Sequence, residues 1–289
     1  MKKIIALVLI AALFVTLAAA CATPADKNTD GAEATAVEKI KANGKIVMYC
    51  NANFPPYEYL NGTEVVGIDV EIGKAIAEKL GVTLEIKNTA FDGIVVAIAS
   101  GSGDMAITGM TITEERKLEV DFSNPYINSV QYLILKEDSD LETVESLAGM
   151  RVAAVLGYTG SLILGDELLP GGEVLENGEV TEPGVLAGSG MVLSDYNSAG
   201  DATLALTSGK ADAVIMDEMV AKSIVASIGG LKAVKLTYED GSDTAEEYGV
   251  AIQKGKEDLL AVINEVIDEL VANGKIEEFM NLHVMQDAE

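Results

Sequence analysis

The sequence predicts an α/β protein of two lobes, each a mostly parallel sheet flanked by helices. Three observations lead there. Short apolar strand-like runs alternate with amphipathic helical stretches along most of the chain, the pattern of crossover units joining parallel strands. The chain has 289 residues, and the roughly 270 that follow a leader exceed what one compact core usually takes. A self-similarity relates the halves: Ala97-Ile-Ala-Ser-Gly-Ser-Gly-Asp-Met-Ala-Ile-Thr-Gly109 aligns without gaps to Ala205-Leu-Thr-Ser-Gly-Lys-Ala-Asp-Ala-Val-Ile-Met-Asp217. Each copy reads as a helix end, a Ser-Gly stop, an Asp turn and a buried strand. Gly109 and Asp217 then stand at equivalent strand ends, and Asp104 and Asp212 are turn residues.

The elements follow in order. Lys2 and Lys3, the apolar run Ile4–Leu17 and the small residues Ala18-Ala-Ala before Cys21 form a secretory leader, too short for a membrane span. Cysteine at the cut predicts lipid attachment at Cys21, although Leu17 stands one place earlier than the lipidation motif usually has it. Residues 21–36 are small and polar, a flexible tether. A short helix Val37–Ala42 ends at Asn43-Gly44, and Lys45–Cys50 is the first strand. The Pro pair opens a loop in Asn51-Ala-Asn-Phe54-Pro-Pro-Tyr57. Val65–Ile68 is extended, Val70–Leu80 is a helix stopped by Gly81, and Val82–Ile86 is a strand. Phe91–Ala99 is a helix, Asp104–Thr108 a strand, and a further helix opens at Thr113 with Glu114, Glu115 and Arg116 in its first turn.

Composition excludes several functions. Twenty basic against forty-six acidic side chains give a formal charge of −26, which leaves a phosphate backbone nothing to bind, so no nucleic-acid partner is expected. Once Cys21 carries lipid, Cys50 is the one remaining thiol, expected as a buried structural residue. With one histidine, His283, neither a metal site nor a histidine-based triad is expected, and no cofactor.

Open α/β sheets place ligands at strand ends, and three ends stand out. Thr108-Gly109 leads to Arg116, a cation at a helix start where the macrodipole makes it mildly unfavourable unless something negative docks beside it. Arg151–Val155 leads into Leu156-Gly-Tyr-Thr159-Gly160-Ser161, and Ala213–Met216 into Asp217. A guanidinium fork matches a carboxylate with two parallel hydrogen bonds. Arg116 with the Thr111 and Gly160 amides suits the carboxylate of an α-amino acid. Asp217, the Gly109 carbonyl and the Thr111 hydroxyl suit its ammonium. Phe54 and Phe91 can sandwich the aliphatic part, with Tyr57 as a second choice. Taken singly each has an ordinary structural reading: Arg116 paired with Glu115 or Glu119, Asp217 as a helix cap, Phe91 as core.

The stretches Tyr49-Cys-Asn51-Ala-Asn-Phe54-Pro-Pro-Tyr57-Glu-Tyr59, Gly67–Gly81, Phe91-Asp-Gly-Ile and Gly109-Met-Thr-Ile-Thr-Glu-Glu-Arg116 through Asp121-Phe-Ser-Asn-Pro-Tyr126 resemble the solute-binding proteins of polar amino-acid ABC importers. The resemblance covers about residues 44–285. It implies a periplasmic-binding-protein-like fold whose lobes are joined by two hinge strands, near 126–130 and 244–248. Lobe 1 would take 37–126 with 249–289, and lobe 2 would take 127–248. It implies that Arg116 holds the ligand carboxylate, Asp217 its ammonium, and Phe54 and Phe91 its side chain. Asn51 replaces the aspartate usual in binders of basic amino acids. The contacts of glutamine binders fall here on Leu156 and Met216. A free amino acid with a neutral side chain is therefore expected, captured by a monomer and passed to an ABC permease. Residues 163–192 read as an insertion forming a surface loop. Two rivals share the fold: a cyclohexadienyl-dehydratase-like enzyme, which needs a general acid such as Glu58 or Glu218, and a ligand-binding sensor component.

Overall fold

A computed structural model describes residues 34–172 and 180–286. The leader, Cys21 and nearly all of the tether lie outside the described residues, as do positions 173–179. The first helix, Ala36–Asn43, is closed by a capping box in which Thr35 and Glu38 satisfy each other's backbone amides, and it ends at Gly44 with φ +69°. Regular structure therefore begins inside the stretch assigned to the tether.

Lobe 1 is a five-stranded sheet in the order Thr83–Asn88, Lys45–Cys50, Met105–Ala106, Ala251–Gln253, Val120–Phe122. Its first two junctions are parallel and its last two antiparallel. The strand expected over 104–108 is only Met105–Ala106, and the segment 91–99 divides into a 3-10 turn Phe91–Gly93 and a helix Ile94–Ala99. Helix Glu257–Ala272 buries Leu259, Ile263, Val266 and Ile267, one stripe at helical spacing, and packs on helix Ile68–Leu80. Cys50 is fully buried and its thiol pKa is raised by burial, as a structural cysteine requires.

Lobe 2 is a six-stranded sheet, ordered Val192–Tyr196, Arg151–Val155, Ala213–Asp217, Ile127–Lys136, Leu231–Lys235, with Ala245–Tyr248 also paired to Ile127–Lys136. Parallel pairing joins its first three strands only. The rest is antiparallel because Ile127–Lys136 and Ala245–Tyr248 carry the chain between the lobes in opposite directions. Those two strands are the hinge, in register from Ile127–Tyr248 to Val130–Ala245. Asp104 and Asp212 are strand staples: their carboxylates accept from the Val47 amide at 2.7 Å and the Arg151 amide at 2.9 Å. The 163–192 segment is not simply a surface loop. Helix Thr159–Glu167 runs into it, and Leu186 is fully buried in the lobe 2 core, since an apolar side chain there gains more by burial than by exposure. Among the described residues no helix is long and apolar enough to cross a membrane.

Candidate functional site: a cleft between a buried arginine and a carboxyl pair

The lobe 1 wall starts at Gly109, where φ is +50° and an added Cβ would lie 2.3 Å from Phe54 Cε1. Only glycine suits both the turn and the contact. The Gly109 amide donates to Asp69 Oδ2 at 2.6 Å. Two residues on, Thr111 faces the cleft. Thr113 Oγ1 accepts from the Arg116 amide at 3.1 Å and caps helix Glu114–Glu119. Arg116 is only 7% exposed. Its Nη1 donates to the Thr111 carbonyl at 2.7 Å and its Nη2 to the Gly157 carbonyl of lobe 2 at 3.0 Å. The guanidinium carbon lies 5.4 Å from the Phe91 ring centre, within cation–π range. Burial lowers the guanidinium pKa from its usual value, an effect opposed by Glu246 and Asp217. Thus Arg116 turns to carbonyls of both lobes and feels two carboxyls across the cleft.

The opposite wall is acidic. Asp217 ends strand Ala213–Asp217 and precedes helix Glu218–Ser227, yet its side chain makes no capping bond. Instead its Oδ1 accepts from the Tyr248 hydroxyl at 2.6 Å and from Gln131 Nε2 at 3.0 Å. Gln131 Nε2 also donates to Glu246 Oε1 at 2.6 Å, and Thr111 Oγ1 donates to Glu246 Oε2 at 2.5 Å. Thr111 Oγ1 is 2.7 Å from Thr159 Oγ1 as well. A continuous path thus runs from Asp217 through Gln131, Glu246 and Thr111 to Arg116. Burial, then the charge of Asp217, pushes the Glu246 carboxyl well above the usual range, and Glu246 hydrogen-bonds to Asp217.

The aromatic end differs from expectation. Phe54 and Phe91 do not face an open slot, because Tyr158 stands against both. Ring centres are 5.2 Å apart for Phe54–Tyr158 and 4.7 Å for Phe91–Tyr158, each edge-on. The Tyr158 hydroxyl donates to Asn51 Oδ1 at 3.2 Å, while Asn51 Nδ2 donates to the Thr89 carbonyl at 2.7 Å. Leu156, expected at this end, is 45% exposed. Gly157 has φ +79°, which re-aims the chain so that Tyr158 rather than Leu156 points inward. Met216 is buried in the strand core. Tyr57 lies one layer deeper, stacked on Phe54 at 5.4 Å and edge-on to Tyr248 at 5.3 Å. Gly160 sits in the first turn of helix Thr159–Glu167, where amides lack intrahelical acceptors. An added Cβ there would be 2.6 Å from Gln131 Oε1.

A second carboxyl pair lies behind the lobe 1 wall. Glu58 and Asp69 are fully buried and hydrogen-bonded to each other. Asp69 Oδ2 also accepts from the Tyr126 hydroxyl at 3.1 Å, and Glu58 Oε1 from Thr108 Oγ1 at 2.5 Å. Burial raises both carboxyls. Asp69 in turn fixes Gly109 by accepting from its amide. Among the described residues no group of acidic, histidine or cysteine side chains could hold a metal ion.

Sequence reasoning missed Glu246, Gln131, Tyr248 and Tyr158. The hinge strand Ala245–Tyr248 alternates exposed and buried, with Glu246 and Tyr248 facing in. That period of two was legible and marked Glu246 as an inward acid.

Two α/β lobes joined by a pair of antiparallel strands, with buried charged side chains where they meet, define a ligand-binding protein of the periplasmic-binding type. The chain belongs to the bacterial extracellular solute-binding proteins, family 3, whose description it matches over residues 46–285. It is 30% identical over 235 residues to the arginine-binding extracellular protein ArtP of Bacillus subtilis, covering 81% of this chain and 84% of that one. It is equally 30% identical over 295 residues to the ABC transporter glutamine-binding protein GlnH of the same species, covering 99% of each. Among solved structures, the amino-acid ABC transporter substrate-binding protein AbpA of Streptococcus pneumoniae, bound to L-arginine, superposes with a TM-score of 0.74 at 32% identity, covering 87% of this chain and 99% of that one. These three are binding proteins, and this chain is a substrate-binding protein and not an enzyme.

Proposed function

We propose that the protein captures a free amino acid between its lobes outside the cytoplasm and delivers it to an ABC-type permease, held to the membrane by lipid on Cys21. The observation that carries this reading is the single polar network linking Arg116 of lobe 1 to Asp217 of lobe 2. Burying a zwitterion costs several kcal/mol per charge unless each end is paired. Further donors of the Arg116 fork, with the Thr111 and Gly160 amides, take the carboxylate. Asp217, the Thr111 hydroxyl and the Gly109 carbonyl take the ammonium, and Glu246 stands beside them. Each end of the ligand would draw partners from both lobes, so binding favours the closed arrangement that a permease would read.

A thermal-shift screen of the standard amino acids tests this. Ligand at a hundredfold its dissociation constant adds ~2.7 kcal/mol of stability. The matching amino acid therefore raises the melting temperature of the wild type and not that of Arg116→Met. A melting curve that no amino acid moves would sink the reading.

A further inference from the structure

We infer that Tyr158 fills the side-chain end of the cleft and restricts the ligand to a small α-amino acid: glycine, alanine or serine. This rests on the reading above that Arg116 and Asp217 hold the ligand's two charges. Phe54 and Phe91 are the lobe 1 aromatics on that end, and Tyr158 of lobe 2 is inserted against both at 5.2 and 4.7 Å between ring centres. Those separations are direct ring-to-ring contact, with no thickness left for a ligand side chain between them. Tyr158 is 6% exposed, and its hydroxyl donates to Asn51 Oδ1 at 3.2 Å, so the ring is buried and its tip is engaged. Asn51 is committed on its other side to the Thr89 carbonyl. The ring is held from the backbone too. Gly157 takes φ +79° and Tyr158 occupies the residue just before helix Thr159–Glu167, so its direction is set by the turn. Asn51, Phe54, Phe91 and Tyr158 are themselves uncharged, so none of these four side chains offers an ion-pair partner to a ligand side chain.

A longer ligand must therefore expel Tyr158 from between the two phenylalanines, giving up its ring contacts and its bond to Asn51. A glycine, alanine or serine need not. Tyr158 is thus a specificity-determining residue supplied by the protein in the position where a bulkier ligand would place its own side chain.

Titration calorimetry on the full-length protein and on Tyr158→Gly, with glycine, L-alanine, L-serine, L-glutamine and L-arginine, decides the matter. The wild type is expected to prefer alanine over glutamine. In Tyr158→Gly the glutamine-to-alanine affinity ratio should rise by about a hundredfold, since a pocket discriminates by roughly tenfold or more per added or missing group. Using the ratio cancels any general loss of closure. Tyr158→Phe keeps the ring and should stay on the alanine side. If the wild type takes glutamine or arginine as tightly as alanine, or the ratio does not move in Tyr158→Gly, the inference is wrong while amino-acid capture stands. Should Tyr158→Gly lack a cooperative melting transition, the wild-type ranking alone decides. Heat from none of the five ligands on either protein overturns capture and inference together.

Discussion

Glu58 and Asp69 are fully buried, hydrogen-bonded carboxyls, and that has a sign in pH. Both carboxyls are raised, by burial first. The unfolded chain gives up those protons above about pH 4.3, whereas the folded chain keeps at least one, so it binds more protons than the unfolded state at neutral pH. Stability from this pair is complete below the unfolded pKa and falls as pH rises toward the folded value, at ~1.4 kcal/mol per unit for one group. Glu246, raised for the same reason, adds in the same direction. Denaturant midpoints should therefore decline between about pH 5 and pH 8. Glu58→Gln, whose amide can donate to Asp69 and accept from Thr108, should flatten that decline; an unchanged slope would show that the proton resides elsewhere. At the other end of the cleft, Asp217→Asn should weaken ligand binding by ~2–5 kcal/mol, read by calorimetry, because a buried charge loses its partner.

Helix starts carry the next scale of evidence. Gly67 precedes helix Ile68–Leu80 at φ +135°, and an added Cβ would fall 2.1 Å from the Tyr57 carbonyl oxygen. Because backbone cannot yield as a side chain can, Gly67→Ala should cost at least ~3 kcal/mol in chemical denaturation. Thr113→Ala removes a cap worth ~1 kcal/mol and loosens the turn that aims Arg116, so affinity should fall along with stability. These elements were readable from the chain because their signals are local: a glycine stop at Gly81, a threonine before Glu114, alternation along the strands. Arg116, Asp217 and Thr111 stood out as candidates for the same reason, since strand ends announce themselves. What the sequence could not carry was partnership across distance. Nothing near residue 131 says that Gln131 will bridge Asp217 and Glu246. Nor does the run Leu156-Gly-Tyr158 say which side chain turns inward, since that depends on the left-handed turn at Gly157 and on rings contributed from residues 54 and 91.

Across the whole molecule, charge and connectivity set behaviour. A formal charge of −26 makes the folded state self-repelling. Added monovalent salt should raise the melting temperature by screening this repulsion between surface charges, while ligand affinity, set by buried pairs, should change little; a salt-insensitive melting point would contradict this. The five-stranded sheet has a further property. Ala251–Gln253, the last strand to be made among the described residues, lies between Met105–Ala106 and Val120–Phe122 rather than at an edge. Until residue 253 emerges, those two segments have an unfilled gap between them and their backbone groups lack partners. A growing polypeptide thus cannot finish its amino-terminal half early, and a ribosome or translocation channel handling it faces an incomplete, binding-incompetent intermediate for most of synthesis. Stop codons placed before Ala251 should yield protease-sensitive products even though four of the sheet's five strands precede them.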